Sequence, residues 1–561
     1  MANRRIYQLI LLIAGLWLVL ELASRIVAEI LWFQEVGYLQ VFLLKLKTQG
    51  LLGAIAIAVS SVFLLGNLAL ARSLQHPTEE MKSPVAGVLW ASLRANKTGK
   101  NYELPVTKSQ ITFSWLLLAV FGLTSIATFI VIHCGLLAAN SLTYFGIAGN
   151  LPAPPVQLGI ESIQHGAVQL FSHWWQLGLL LGTILAVAIK PDFWLQAIAL
   201  FLSLAIGLIA TSRWTNVLQY FHPTNFNTTD PLFNQNISFY VFILPILDLL
   251  GLWLTVVFCY SLVSCALTYL LSGNSLSQGR FLGFSRSQQR HLYGLGAASM
   301  LAAAFRYWLG RYALLYSRGD VTYGANYADV TVRLPCYGFL SILAGAIALL
   351  MLYQVYQFKI KNELIKKILL AWVALTFVGG LLLPEIVQQL IVQPNELARE
   401  QPYIQRSIAF TKAAFDLNTI EIKTFDPAGK LTYADLEKNQ LTISNIRLWD
   451  KRPLLQTTRQ LQQIRPYYTF PDADIERYTI KNEKAKKGDS ESQQVFLAAR
   501  ELDYTAVAPE AQTWVNQHLV YTHGWLYSFS GKYSRCRRFT RLFCQRYWSC
   551  SPERRDWFGS H

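Results

Sequence analysis

The chain is dominated by long, nearly unbroken apolar blocks separated by polar stretches. Blocks such as 111–139 and 239–272 meet or exceed the ~20 residues with which an α-helix crosses a ~30 Å hydrocarbon core. Length and apolarity predict spans at 6–24, 50–71, 111–139, 173–189, 193–211, 239–272, 292–309, 336–358 and 368–387. The segment 292–309 is the weakest, because Arg306 interrupts it. The first block follows a basic start at Arg4 and Arg5, but no small-residue cleavage site closes it, so it reads as a retained span.

Loop charge orients these spans, since short cytoplasmic loops are enriched in Lys and Arg. Arg4 and Arg5 put the N-terminus inside. Arg72, Lys82, Arg94, Lys97, Lys100 and Lys108 follow the second block, whereas 140–172 holds no Lys or Arg. Arg280, Arg286 and Arg290 mark another inner loop, and Lys359, Lys361, Lys366 and Lys367 a third; both fall inside only if 292–309 spans. The expected fold is mainly α: a polytopic helical transmembrane bundle of about 7 to 9 spans over 1–388, in the cell membrane, with a cytoplasmic N-terminus. The region after Val387 is then extracytoplasmic, and an α+β domain is expected over 389–524.

Composition agrees, with 53% hydrophobic against 15% charged residues in a chain of 561. The +16 formal charge does not point to nucleic acid, because many of the Lys and Arg residues lie beside spans; the lipid bilayer is the expected partner. Cys134, Cys259, Cys265 and Cys336 sit in or beside apolar segments, where a thiol behaves as a small hydrophobe. Neither a CxxC pair nor metal-ligand spacing occurs, so no metal or cofactor is expected.

An ionisable side chain inside the hydrocarbon is costly, and so marks a candidate functional site. Asp248 is the best case, in Leu244-Pro245-Ile246-Leu247-Asp248, where Pro245 can break the hydrogen-bond ladder and free a carbonyl for a partner or an ion. The alternative is an interfacial Asp248, since 239–272 is longer than one span. Glu21 reads as interfacial, His133 and His173 as structural, and Trp174 and Trp175 as an aromatic belt.

Beyond 388 the composition turns soluble. Helices are expected at 396–415 and 454–464, strand and turn at 423–433, a strand at 467–470 and a solvated loop at 481–492. Asp472-Ala473-Asp474 has the DxD form of some metal-dependent glycosyltransferases, but so short a pattern arises by chance. Glu501, Asp503 and His518 form an acid-base or metal set only if the fold gathers them. Neither a GxSxG elbow nor a Walker loop is present, and no catalytic residue is assigned.

Four motifs carry a resemblance: Trp32-Phe33-Gln34-Glu35-Val36-Gly37-Tyr38; Gln393-Pro394-Asn395-Glu396-Leu397-Ala398-Arg399-Glu400; Asn445-Ile446-Arg447-Leu448-Trp449-Asp450 with Pro453-Leu454-Leu455-Gln456; and Tyr521-Thr522-His523-Gly524. They resemble UPF 0182, an uncharacterised family of large multi-pass membrane proteins of cyanobacteria and actinobacteria. The resemblance covers most of residues 1–524 and implies a cell-membrane location and a large extracytoplasmic region. It implies no activity and transfers no catalytic residue. Family members are longer and continue differently after the last motif, whereas 525–561 is rich in Arg, Cys and Trp. Codons permitted for 525–548, read one base later, give a stretch similar to the family continuation. The expectation is a frameshift near Gly524, a disordered out-of-frame tail over 525–561, and no selected role for Cys536, Cys544 or Cys550. The 389–524 domain is then incomplete.

Three functions compete. The first is transport or sensing of a solute through the bundle, with Asp248 and Pro245 as its intramembrane polar site and Gly-rich spans allowing close packing. The second is an envelope scaffold or assembly factor that recruits protein partners through its outer domain. The third is a membrane-embedded transferase using Glu29 or Glu35, against which stands an interfacial amphipathic helix over 25–44.

Overall fold

The computed structural model describes residues 2–75, 113–143, 174–271, 283–317, 323–357, 362–424, 429, 431–444, 446, 450–462, 467–481, 490–520, 525–530 and 542–545. Two compact units divide the chain: Gly37–Glu421, and Met1–Val36 together with Ile422–His561. The first is helical and the second carries a sheet.

Helix α1 (Ala2–Glu35) ends before Gly37, whose φ of +81° is a conformation that glycine enters without a Cβ clash. The helix predicted over 25–44 is therefore broken, and α2 (Leu39–Ser73) begins anew. There follow α3 (Phe113–Thr143), α4 (Trp174–Ile189), α5 (Pro191–Ser212), α6 (Trp214–Phe221), α7 (Leu244–Leu270), α8 (Arg286–Ala313), α9 (Leu334–Gln357) and α10 (Asn362–Phe377). Among the described residues, six continuous helical stretches are long and apolar enough to cross a membrane: Leu39–Ser73, Leu116–Ser141, Pro191–Ser212, Phe239–Leu270, Asp329–Gln357 and Glu363–Ala414. They contain the greater part of each predicted block at 50–71, 111–139, 193–211, 239–272, 336–358 and 368–387. The block at 173–189 gives α4, apolar but only 16 residues long. The blocks at 6–24 and 292–309 fall in α1 and α8, which are not among the six.

Small residues let these helices approach. On α2, Gly53, Ala56 and Ser60 are buried, and Gly53 faces α5: a Cβ there would lie 2.7 Å from Thr211 Cγ2. In return, a Cβ on Gly207 of α5 would overlap the Ile57 side chain. Close backbone approach of this kind replaces the hydrophobic drive that helices lack in lipid. Polar side chains then find partners on neighbouring helices. Trp253 Nε1 donates to Ser60 Oγ at 2.8 Å, and Tyr260 donates its hydroxyl to the Leu195 carbonyl at 2.6 Å. Tyr269 OH meets His291 Nδ1 at 2.7 Å, while His291 Nε2 meets Asn67 Oδ1 at 3.0 Å.

The polar helix α8 lies against both α7 and α9. Its contacts with α7 run from His291 opposite Tyr269, through Ser299 opposite Cys259, to Arg306 opposite Asp248, so the two helices are antiparallel along most of their length. On the other side, Ser341 Oγ of α9 donates to the Ala304 carbonyl at 2.8 Å, and Gly296 and Gly310 approach Met351 and Tyr337. Two helical neighbours explain how a helix of such low apolarity sits beside membrane-length ones, because its polar atoms face protein instead of lipid.

Three helical starts repeat one construction. Five-residue π-helical turns at Phe239–Ile243, Asp329–Arg333 and Val378–Leu382 each precede a Leu-Pro pair: Leu244-Pro245, Leu334-Pro335 and Leu383-Pro384. Proline lacks an N–H and its ring clashes with the carbonyl four residues back; the wider π turn moves that carbonyl away. At the first two, an asparagine nine positions before the proline, Asn236 or Asn326, accepts a backbone N–H through its Oδ1 at the helix start. The third belongs to one long helical stretch that runs on through α11 (Leu383–Val387) and, after Pro394, α12 (Glu396–Ala414). The helical unit thus extends well past Gln388.

In the second unit, the described residues 423–424, 429 and 431–432 of the expected strand and turn form no strand, and α13 (Tyr433–Lys438) begins where that segment ends, on a reciprocal cap formed by Thr432 and Asp435. Asp426, Pro427 and Ala428, the expected breaker, lie outside the described residues. After α14 (Gln440–Ser444), α15 (Lys451–Gln462) matches the predicted second helix. Strand β1 (Tyr468–Thr469) matches the predicted strand, and β2 (Asp474–Lys481) forms an antiparallel pair with β3 (Ser490–Leu502). The expected loop 481–492 is therefore strand at both ends, with 482–489 outside the described residues. Leu455 of α15 and Phe470, Ala473, Phe496 and Ala498 make the core of this unit. Within the expected disordered tail, β4 (Trp525–Ser530) pairs with β3 and β5 (Leu542–Gln545) with β4. Aromatic residues of high β propensity fit a strand whatever their origin.

Candidate functional site

Asp248 lies on α7 nine residues beyond Phe239, about 14 Å along the helix at 1.5 Å per residue. Its carboxylate Oδ1 is 3.3 Å from Nη1 of Arg306 on α8, and the same Nη1 donates to the Asp248 carbonyl at 3.3 Å. The two side chains are only 17% and 15% exposed, too little for water to screen the pair as it screens a surface bridge. At an effective dielectric constant of ~20 the gross attraction at this distance is about 5 kcal/mol, most of it offset by desolvation. Stranding either charge by removing the other costs roughly 3–5 kcal/mol. Arg306, which interrupted the weakest predicted span, is thus the partner of the candidate residue in the span before it.

Gly251, one turn beyond Asp248, makes room for this arginine: a Cβ there would stand 2.8 Å from Arg306 Cδ and 3.3 Å from Nη1. Arg213, between α5 and α6, also acts electrostatically on Asp248, and Asp248 acts in turn on Tyr316. Pro245 contributes through the backbone. In the π register Leu244 N–H bonds to the Phe239 carbonyl, so the next carbonyl, Tyr240, would need the N–H that Pro245 lacks. Tyr316 OH donates to that carbonyl at 3.3 Å instead. Tyr240 in turn donates its own hydroxyl to Asp230 Oδ2 at 2.7 Å, and the Asp230 carboxylate also accepts the backbone N–H groups of Leu232, Phe233 and Gln235. The site is therefore a buried carboxylate with a guanidinium beside it, steadied at one end by a hydrogen-bonded turn. Such a pair can hold opposite charges within the bundle and exchange one partner for a charged ligand.

The other candidates are dispersed. Glu21 bonds Arg25 on an exposed face. His133 is half-buried and stacked on Phe129, His173 lies outside the described residues, and Trp174 and Trp175 are exposed. Cys134 and Cys265 are buried, and Cys259 and Cys336 are partly so, all as free thiols. In the second unit, Asp472 pairs with Lys451 at 2.6 Å while Asp474 begins β2. Glu501, Asp503 and His518 do not converge: Glu501 pairs with Thr469 in the sheet, Asp503 caps Thr505, and His518 stacks on Trp514. His518 instead meets Glu29 of α1, with 3.4 Å between Nε2 and Oε1, and Trp514 Nε1 donates to the same oxygen at 2.9 Å. Glu35 is exposed at the end of α1. Among the described residues no three His, Cys, Asp or Glu side chains gather as a metal would require.

A mainly helical chain with six membrane-length apolar helices among its described residues, and a charged pair between two of its helices, fits an integral membrane protein. The family model described as "Uncharacterised protein family (UPF0182)" matches residues 6–526, and the chain belongs to that family. A UPF0182 protein of Nostoc sp. is 46% identical over 93% of this chain and 55% of its own length. Relatives in Trichodesmium erythraeum and Microcystis aeruginosa are 42% and 38% identical, over 92% and 93% of this chain and 54% of each relative. The chain thus spans about half the length of the curated relatives it matches. No solved structure matches it.

Proposed function

We infer that this chain is a multi-pass protein of the bacterial cell membrane whose helical unit transports or senses a solute at the Asp248 and Arg306 pair. The observation that carries this reading is the run of α8 alongside α7, which brings Arg306 to the only carboxylate of α7. A charged pair at that depth is costly, and such pairs mark ion and substrate paths. Proline-interrupted helices in corresponding positions are a second pointer to a site between repeats, and the Asn, π-turn and Leu-Pro construction before α7 and α9 is of that kind. On this reading α8, α4 and the apolar part of α1 span the membrane beside the six membrane-length helices, about nine spans in all, and the Lys and Arg of the short loops favour a cytoplasmic N-terminus and an extracytoplasmic region after Val387.

Proteoliposomes containing the protein, assayed for proton, phosphate and acetate flux, test the reading. Asp248→Asn should reduce flux at least about tenfold, a change of ~1.4 kcal/mol in the barrier. Unchanged flux in that variant removes the pair from the path. A scaffold role for the extracytoplasmic region is the second reading, favoured by relatives that are nearly twice as long. Crosslinking from positions 422–520 in a full-length relative should then capture one reproducible protein partner, and random neighbours alone would count against it.

A further inference from the structure

The segments that start α7 and α9 and one face of α12 enclose a cavity of about 320 Å³, within the size range of small-molecule sites. Ile237, Tyr240 and Val330 line it where the membrane-length stretches Phe239–Leu270 and Asp329–Gln357 begin, so it lies at one end of the helical unit, and neither Asp248 nor Arg306 reaches it. Buried Glu400 fixes α12 here, its carboxylate accepting the Tyr327 N–H at 3.1 and 3.3 Å. Side chains three and four residues apart share a helix face, so this anchor brings Tyr403, Ser407 and Phe410 to the cavity, with Arg406 beside them.

The polar groups of the wall differ in the bonding capacity left to them. Asp230, the one carboxylate of the wall, is already saturated: Oδ1 accepts the N–H groups of Leu232 and Phe233 at 2.7 and 3.1 Å, and Oδ2 accepts the Tyr240 hydroxyl at 2.7 Å and the Gln235 N–H at 3.3 Å. A cationic ligand would need an unengaged carboxylate, and this wall has none. Arg406, by contrast, lies over the Tyr403 ring, with Cζ 5.5 Å from its centroid, and forms no hydrogen bond or ion pair among the described residues. A guanidinium held by its face keeps its in-plane N–H fork open, and that fork fits two oxygens of a carboxylate or phosphate. The Tyr403 and Ser407 hydroxyls likewise donate to nothing among the described residues. Leu232, Ile237, Leu315 and Val330 add an apolar wall from the segments before α7 and α9.

We propose that this cavity binds an amphipathic organic anion, its charged group held by the Arg406 fork and the Tyr403 hydroxyl and its apolar body lying against Leu232, Ile237 and Val330. A dissolved carboxylate with a hydrocarbon chain and an anionic membrane lipid offer the same chemistry to such a site. The site stands whether or not a solute passes between Asp248 and Arg306.

The test titrates radiolabelled octanoate onto the full chain in phosphatidylcholine nanodiscs, with binding to empty discs subtracted. Wild type should bind it saturably, and octanol, which lacks the charge, and acetate, which lacks the apolar body, should each compete at least about tenfold more weakly. Arg406 is exposed, so Arg406→Gln should fold as wild type and bind octanoate about tenfold or more weakly. Tyr403→Phe, which keeps the ring and removes the hydroxyl, should lose about threefold to tenfold. Ala325→Phe fills the cavity and leaves Arg406 in place, and should abolish binding. Arg399→Gln removes an exposed charge two turns earlier on α12, over the Tyr327 ring and outside the cavity, and should bind as wild type does. Competition by short-chain phosphatidylglycerol, with short-chain phosphatidylcholine as control, separates the sources: displacement by the anionic lipid alone supports a lipid occupant, and displacement by neither supports a dissolved carboxylate. No saturable binding in wild type, undiminished binding in Arg406→Gln, competition by octanol equal to that by octanoate, or equal losses in Arg399→Gln and Arg406→Gln overturns the proposal.

Discussion

Replacing Gly251 by alanine separates the contact between Asp248 and Arg306 from the charges that make it. The new Cβ would stand 2.8 Å from Arg306 Cδ, whereas carbon atoms rest at about 3.5–4.0 Å, so the arginine arm must withdraw by roughly 0.7–1.2 Å. Its contacts with Asp248 are already 3.3 Å long, and a withdrawal of that size carries them out of hydrogen-bonding range. Losing a hydrogen bond to a charged group costs about 1.5–3 kcal/mol. Alanine in place of glycine within a helix returns about 1 kcal/mol, which leaves a net loss of about 0.5–2 kcal/mol. Gly345→Ala on α9 is the control, since nothing lies within 4 Å of its Cβ position and only the gain in helix propensity should appear. Unfolding in detergent, measured for Gly251→Ala, Arg306→Ala and the double variant, gives the coupling between the two positions. With the arginine arm removed, Gly251→Ala should become neutral or stabilising, a coupling of about 1–3 kcal/mol. Additivity within about 0.5 kcal/mol, or stabilisation by Gly251→Ala in the wild-type background, refutes the argument.

Two further perturbations examine other parts of the chain. Gly207→Leu drives a branched side chain into Ile57 where α2 and α5 approach, and should destabilise the helical unit by about 1–3 kcal/mol in the same unfolding assay; full stability would mean that the approach is not tight. In the sheet-bearing unit, the hydrogen bond from Lys451 Nζ, aided by the backbone N–H of Ala473, holds the Asp472 carboxyl below its ordinary value. A depressed carboxyl adds stability that is complete above the unfolded value of about 3.9 and is lost as pH falls through the folded value. Lys451→Ala should therefore destabilise the protein at pH 6 and converge with wild type at the acid end, and a difference independent of pH would refute this assignment.

The helical content was legible because apolar blocks of bilayer length leave few alternatives, and six of the nine predicted spans lie in helices of membrane length. Local signals also sufficed at 396–415, 454–464 and 467–470, where helix period or strand composition met no competitor. Just after 423–432 the sequence reading passed over a short helix, α13, which starts on a cap in which Thr432 and Asp435 satisfy each other three residues apart. At 481–492 the charged residues read as solvated loop, although strand pairing across β2 and β3 supplies hydrogen bonds that composition does not reveal. The Leu-Pro pairs were visible, but the π turn that repeats before each was not, because it answers a backbone clash and not a side-chain pattern.

By itself the sequence determined that this chain is mainly helical and suited to a membrane, and it singled out Asp248 and Pro245 from residue type and neighbours alone. Tertiary structure decided what those residues meet. Arg306 marked the weakest predicted span when hydropathy was summed along one helix, yet across the α7 and α8 contact it stands opposite the carboxylate. Glu501, Asp503 and His518 are near in sequence and take different partners, while Glu29 and His518 are separated by almost the whole chain and meet. Hydropathy and spacing are properties of one segment, whereas an ion pair or a stacked histidine depends on the register between two, and that register is set by packing.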